Sequence, residues 1–306
     1  MAIIVLGSIN TDITAYGRVL PRVGETVLGT SYEMDLGGKG ANQAAAAARL
    51  GAHAEFVGRV GVDAFGEAAM ERLEAFGVST RHSTRDPAQG TGIAIINVDA
   101  EGRNAITVIS GANMHIDEAQ LHGALPVLGS AKVLMLQLEI PLATCKAAAL
   151  EAHRLGVAVV FDPAPAPAEG LPADLYGLID VITPNETEAE ALLGYQPGTV
   201  EEAARAAHEL VARGTRAAVV TLGARGAYVV GEGAEGFVAP FAVTPVSTVA
   251  AGDCFNAGLA VALSEGKTLM EAARFASACG ALCTTKAGSA ASAPTRQEVE
   301  LLLARG

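Results

Sequence analysis

Between residues 132 and 222 the chain keeps returning to one pattern, in which a short run that is apolar throughout gives way to a stretch rich in helix formers. "KVLMLQLE" precedes "LATCKAAALEAHRLG"; "VAVVFDP" and "LIDVITPN" lead into "ETEAEALLG"; "AAVVTLG" follows. A strand that is apolar on both faces must be covered on both faces, and helices between successive strands supply that cover. The expected fold is therefore α/β, doubly wound around a mainly parallel sheet. The beginning of the chain fits the same scheme. A first strand at Ile3 to Gly7 is followed later by "ANQAAAAARLG", a strong helix former with Gly51 placed as a left-handed terminator. A βα unit comes next, "AEFVGRVG" and then "FGEAAMERLEAFG", where Phe65, Ala69, Leu73 and Phe76 fall on one helical face.

Two segments depart from this alternation. Residues 13–36 hold short β-like pieces, "ETVLG" and "TSYEMDL", between glycine and proline breakers. "TGIAIINVDAEGRNAITVISG" reads as a hairpin around an Asp-Ala-Glu-Gly-Arg turn. Paired together, residues 13–36 and 91–111 would make a small β-sheet lid beside a core formed by 1–12, 37–90 and 112–306.

With 306 residues there is enough chain for such a core. No apolar run reaches the roughly 18 residues that span a bilayer, and "MAIIVLGSINTD" lacks the basic region and cleavage site of a signal peptide. A soluble, cytoplasmic protein is expected. A formal net charge of −12 argues against a broad nucleic-acid surface, which needs clustered Lys and Arg. An anionic ligand would have to be held locally, and backbone amides at helix starts can do that in an acidic protein. Cys145, Cys254, Cys279 and Cys283 show no CxxC, so buried, reduced thiols are expected rather than disulfides or a zinc site.

Three stretches could carry chemistry. "LGGKGANQA" (36–44) places Lys39 and Asn42 at a helix start, suited to hydroxyl or phosphate ligands, although its glycines could serve only the turn. It is neither a P-loop nor a GxGxxG fingerprint, which removes the dinucleotide dehydrogenase reading. "TPNETEAE" (183–190) sets Asn185 and Glu188 three apart after a buried strand. Such oxygen donors suit a hydrated Mg²⁺, yet Thr187 and Glu190 form a capping box that would account for the polarity without any metal. In "STVAAGDCFNAG" (247–258) Asp253 lies in the first turn of a helix behind Ala250, Ala251 and Gly252. Aspartate is also a common helix cap. Cys254 has no histidine motif to activate it, and there is no G-x-S-x-G or HExxH elsewhere.

Taken in order, "GSINTD", "GGKGANQA", "LQLE", "DPAPA", "TPNETEAE", "TLGARGA" and "TVAAGDCFNAG" resemble the ribokinase/PfkB family of sugar kinases from about residue 3 to 294. The resemblance implies ATP-dependent phosphorylation of D-ribose at its 5-hydroxyl, on an α/β core with a β-sheet lid that often forms a homodimer interface. It assigns sugar contacts to Asn10, Asp12, Gly38, Lys39, Asn42 and Glu139, with Asp253 as the base. The amides of Ala251, Gly252 and Asp253 would be the anion hole. Asn185 and Glu188 would serve ATP and, through water, Mg²⁺. Thr221, Gly223, Ala224, Arg225 and Gly226 would line the nucleotide site. Where the family usually has an aspartate at its monovalent-cation site, this chain has Ser247. The carbonyl near Val249 and the loop carrying Gly288 and Ser292 could still bind potassium, but the lost charge weakens that site and the case for potassium activation. A related acceptor (2-deoxyribose, fructose, adenosine) is the alternative substrate, and a non-catalytic sugar- or nucleotide-binding protein the alternative class.

Overall fold

The structure is a computed structural model that describes residues 2–231 and 233–305. In chain order its elements are β1 (Ala2–Leu6), β2 (Asn10–Gly17), β3 (Gly29–Gly37), α1 (Lys39–Arg49), β4 (His53–Val57), β5 (Arg59–Gly61), α2 (Ala64–Ala75), β6 (Thr84–Asp86), β7 (Gly92–Val98) and β8 (Asn104–Ile109). There follow α3 (Glu118–Leu128), β9 (Val133–Leu136), α4 (Leu142–Leu155), β10 (Ala158–Phe161), α5 (Ala173–Tyr176), β11 (Val181–Ile182), α6 (Glu186–Leu193), α7 (Val200–Ala212), β12 (Ala217–Thr221), β13 (Ala227–Gly231), β14 (Ala234–Val238), α8 (Ala251–Ser264), α9 (Leu269–Thr284) and α10 (Arg296–Leu303).

The main sheet has the order β14-β13-β12-β11-β10-β9-β1-β4. Strands β12 through β4 in that order are parallel, and β13 and β14 close one edge as an antiparallel hairpin. The apolar strands behave as their composition requires. Ile3 and Val5 of β1 and Val133 and Met135 of β9 pack with α1, α8 and α9 on one face, while Ile4, Leu6, Leu134 and Leu136 pack with α3, α4 and α7 on the other. Alternate residues of one strand thus enter two separate cores, the period of two that a doubly covered sheet demands.

A second sheet has the order β3-β2-β7-β8. β2 is antiparallel to β3 and parallel to β7, and β7 and β8 form the expected hairpin. Two local expectations need correction. "ETVLG" is not a strand, since only Gly29 enters β3. Phe65 does not join the buried stripe of α2: it is 36% exposed at the helix's first turn, and Met70 packs inside with Ala69 and Leu73 instead. All four cysteines are free and buried. Among the described residues no helix is long and apolar enough to cross a membrane.

Candidate active site

The carboxyl ends of the parallel strands open onto a cavity of about 210 Å³. Asp162 follows β10, Thr183 and Asn185 follow β11, and Thr221 ends β12; all of them line it. Lys39 of α1 and Ala251, Gly252 and Asp253 of α8 line it from the helix side. Chain order reverses between β1 and β9, which are neighbours in the sheet. Loops from successive strands diverge at such a switch point, and across it Ser8, after β1, faces Glu139, after β9, next to the cavity walls supplied by the ends of β10, β11 and β12.

Of the helix N-termini at the cavity, those of α1 and α8 have no side-chain cap. Gly38 (φ 87) precedes α1 and Ala250 (φ 60, ψ 9) precedes α8. By contrast, α6, α7, α9 and α10 each start with a reciprocal capping box. Ala250 is the one non-glycine residue with positive φ among those described, a conformation that costs an L-residue about 1 kcal/mol. Of the three amides expected to bind an anion, that of Ala251 already donates to the Thr248 carbonyl at 3.3 Å.

Asp253 is buried, with 5% of its surface exposed. It is not a helix cap. Its Oδ2 accepts from Asn42 Nδ2 at 2.9 Å and its Oδ1 from Gln43 Nε2 at 3.2 Å. Burial raises its pKa above the ordinary aspartate value, while Lys39 and the two amide donors oppose the rise. Burial likewise raises Asp162 and Glu188. For Lys39 burial works against the ammonium, but Asp162, Asp253, Glu139 and Glu188 outweigh it and keep the side chain charged.

On the sugar side of the expected site, Glu139 Oε2 accepts from Ser8 Oγ at 2.5 Å and from the Lys39 N–H at 3.0 Å. Asn10 Oδ1 accepts from Asn113 Nδ2 at 2.7 Å. Asp12 lies opposite Asp35 in the β2–β3 register, with its carboxylate over Gly37, where any Cβ would overlap it. Burial first, then repulsion from Asp35, Glu139 and Asp253, raises the Asp12 pKa to about 7. Asn42 Oδ1 is buried without a hydrogen-bond partner. Acids from four separate segments, Glu139, Asp162, Glu188 and Asp253, therefore converge beside one lysine. Such a surplus of acceptors suits a ligand with several hydroxyl donors.

The capping box expected from Thr187 and Glu190 is instead made by Asn185 and Glu188: Glu188 N–H donates to Asn185 Oδ1 at 2.9 Å, and Asn185 N–H to Glu188 Oε2 at 2.8 Å. Thr187 and Glu190 are exposed. The shift follows from the chain leaving β11 at Ile182 and turning at once, which puts Asn185 at the cap. The box and the metal candidate are thus the same pair of residues. Among the described residues no group of three or more His, Cys, Asp or Glu could hold a metal ion. One positioned carboxylate at the cavity fits Mg²⁺ bound mainly by water and phosphate.

Of "TLGARG", only Thr221 lines the cavity. Gly223 to Arg225 make one 3₁₀ turn, and Gly226 (φ 102) ends it. Arg225 is held by Glu186 Oε1 at 2.8 Å and by the Gly198 carbonyl, outside the cavity lining. Val249 and Ser292 meet around the Cys283 thiol, which donates to Val249 O at 3.4 Å and lies 3.0 Å from Ser292 Oγ. Ser247 Oγ accepts from Val249 N–H at 3.3 Å, and Gly288 (φ 100) lies against Asp35. Cys254 is buried, and both its hydrogen bond to Cys283 and that burial push its thiol pKa up, contrary to what a nucleophile needs.

Asp162, Thr183 and Asn256 line the cavity without having been assigned a role from sequence. Thr183 Oγ1 donates to Asn256 Oδ1 at 2.6 Å, joining "TPNE" to "CFNAG". For Asp162 and Thr183 the signal was position, since each parallel strand's carboxyl end is where a polar residue faces the crevice; Asn256 lies inside α8 and carried no such signal.

Comparison with known proteins agrees with this geometry. The family described as pfkB family carbohydrate kinase matches residues 2–296. A Haemophilus influenzae protein named ribokinase is 41% identical over 294 residues, covering 96% of this chain and 95% of that one. A Salmonella typhi deoxyribokinase is 35% identical over 255 residues, 83% of each. The solved structure of an Arabidopsis thaliana ribokinase complexed with ribose and ATP superposes with a TM-score of 0.90 at 34% identity, covering 98% of both chains.

Proposed function

This chain belongs to the pfkB family of carbohydrate kinases, and from that premise we propose that it transfers the γ-phosphoryl group of ATP to the 5-hydroxyl of D-ribose. One observation carries the reading: the buried carboxylate of Asp253 stands at the uncapped start of α8, in the wall of the cavity and beside Lys39. A hydroxyl donated to that carboxylate loses its proton to it as the oxygen bonds to the γ-phosphorus and the bond to the β-phosphate oxygen breaks. The proton stays on Asp253 and ADP departs. Such transfer needs positioning and charge stabilisation rather than covalent catalysis. The Lys39 ammonium and the first-turn amides of α8 meet the charge that spreads over the phosphoryl oxygens.

Asp12, Asn42 and Glu139 orient the sugar, with Asn10 and Gly38 shaping the same wall. The unpartnered Asn42 Oδ1 supports this, since a buried acceptor gains most from a ligand hydroxyl. Glu188 and Asn185 would hold the water shell of Mg²⁺, which when bound neutralises phosphate charge. Thr221 and the turn through Gly226 would border the nucleotide. The second sheet, taken as a lid over residues 13–36 and 91–111, would exclude water, the competing acceptor. Tyr32, Ile106 and Val108 are more than half exposed on that sheet, and a homodimer through the lid would cover them. A cytoplasmic location accords with an ATP-consuming sugar kinase.

ATP consumption measured against ribose, 2-deoxyribose, fructose and adenosine tests the assignment. Ribose is expected to give the highest kcat/KM. Higher kcat/KM with 2-deoxyribose would replace the substrate, a reading that the deoxyribokinase relative keeps in view; no turnover with any of the four would favour a binding protein.

A further inference from the structure

Gln43 follows Asn42 on α1 and has no exposed surface. Its Nε2 donates to Asp162 Oδ2 at 2.8 Å and to Asp253 Oδ1 at 3.2 Å, and its Oε1 accepts from Gln137 Nε2 at 2.6 Å. A single amide group therefore stands between two buried carboxylates. Gln137 fixes which way round it stands, because a donor facing Gln43 Oε1 turns the Nε2 toward the acids. Gln137 is itself immobilised: it is fully buried beyond β9, against Gly7, where any added Cβ would overlap its Oε1.

Resting on the reading of Asp253 as the base, we propose that Gln43 is a positioning residue of the reaction. It holds the Asp253 carboxylate in its reactive orientation and separates it from the charge of Asp162. Asn42 and Gln43 grip opposite oxygens of Asp253. Asn42 belongs to the proposed sugar pocket, where its free Oδ1 faces a bound hydroxyl. Gln43 has no exposed surface, so its grip persists through substrate binding.

The electrostatics make the separation consequential. Lys39 and the two amides favour an ionised Asp253, whereas Glu139, Asp162, Glu188 and Asp12 all disfavour it. Two buried carboxylates with no donor between them relieve their repulsion by taking up a proton. A protonated Asp253 cannot accept the hydroxyl proton.

The test is the pH dependence of kcat for the wild type, Gln43→Met and Gln137→Met, at saturating ribose and MgATP. In Gln43→Met the acidic limb is expected to move to higher pH by about half a unit or more. Its kcat near pH 7 should fall roughly 10- to 100-fold, with KM for both substrates within about threefold of the wild type. Gln137→Met, which touches neither acid, should shift the limb in the same direction by less. Adding Asp162→Asn to Gln43→Met should bring the limb back down, since the charge being insulated is then gone. A folded Gln43→Met with a wild-type acidic limb overturns the proposal; if that variant does not fold, an unshifted limb in Gln137→Met overturns it. Asp253→Asn separates this from the reading beneath it. Turnover retained there would remove the base itself, whereas turnover lost there with unshifted limbs in the Gln variants removes only the positioning role.

Discussion

Asn42 Nδ2 donates to Asp253 Oδ2 at 2.9 Å across 211 residues of chain, while the same amide's Oδ1 stays buried without a partner. One side chain thus grips the carboxylate and offers an acceptor to whatever binds beside it. The arrangement ties the proposed base to the proposed sugar contact. Replacing Asp253 by Asn removes the proton acceptor and keeps the shape. We expect kcat to fall on the order of 10²–10⁴-fold or more, with ribose affinity by calorimetry nearly unchanged. Turnover near the wild-type rate would exclude Asp253 as the base.

Asp12 predicts opposite effects on stability and binding. Its folded pKa, raised from 3.8 to about 7, means that the native state binds its proton more tightly than the unfolded chain does. The associated stability is complete below the unfolded value and is lost as pH rises through about 7. Asp12→Asn should therefore melt higher than the wild type at pH 8, on the order of 2–5 °C, with the gap closing toward pH 4. The same variant should raise the KM for ribose about tenfold or more, because an ionised acceptor for sugar hydroxyls is gone. Equal melting temperatures at pH 8 would show that burial and the nearby Asp35, Glu139 and Asp253 do not destabilise an ionised Asp12.

Cys254→Ser should keep most of the activity. The thiol is buried and its pKa is raised, so it supplies neither a thiolate nor contact with the transferring group. A change within about threefold in kcat is expected. A collapse of the rate in a protein that still melts cooperatively would restore the thiol to the mechanism.

Potassium should matter less here than a carboxylate at position 247 would make it. Ser247 brings no charge, and Val249 O and Ser292 Oγ already meet the Cys283 thiol. Initial rates in potassium and sodium buffers at equal ionic strength are expected to agree within about twofold, because neutral oxygens alone hold a monovalent cation weakly. A large gain specific to potassium would show that the loop binds the cation despite Ser247.

The helix start at Asp253 and the uncapped turn at Lys39 were legible because both depend on local chemistry: glycine and alanine before a helix leave amides open. The hairpin at 91–111 was legible for the same reason. The capping box was misplaced by two residues, because its register depends on where β11 ends, and tertiary pairing sets that. Gln43 and Asp162 went unassigned. Each looks ordinary in its own segment, a polar residue among alanines and an acid before a proline, and their importance arises only where α1, β9 and β10 meet.

The sequence by itself determined the layered α/β architecture, since strands apolar on both faces admit few other arrangements, and it marked the loops that carry polar residues. Tertiary structure alone decided how those residues act together. A carboxylate's proton affinity is set by burial and by charges and donors within a few ångströms, and for Asp253 these come from Lys39, Asn42, Gln43 and Glu139, all more than a hundred residues away in the chain.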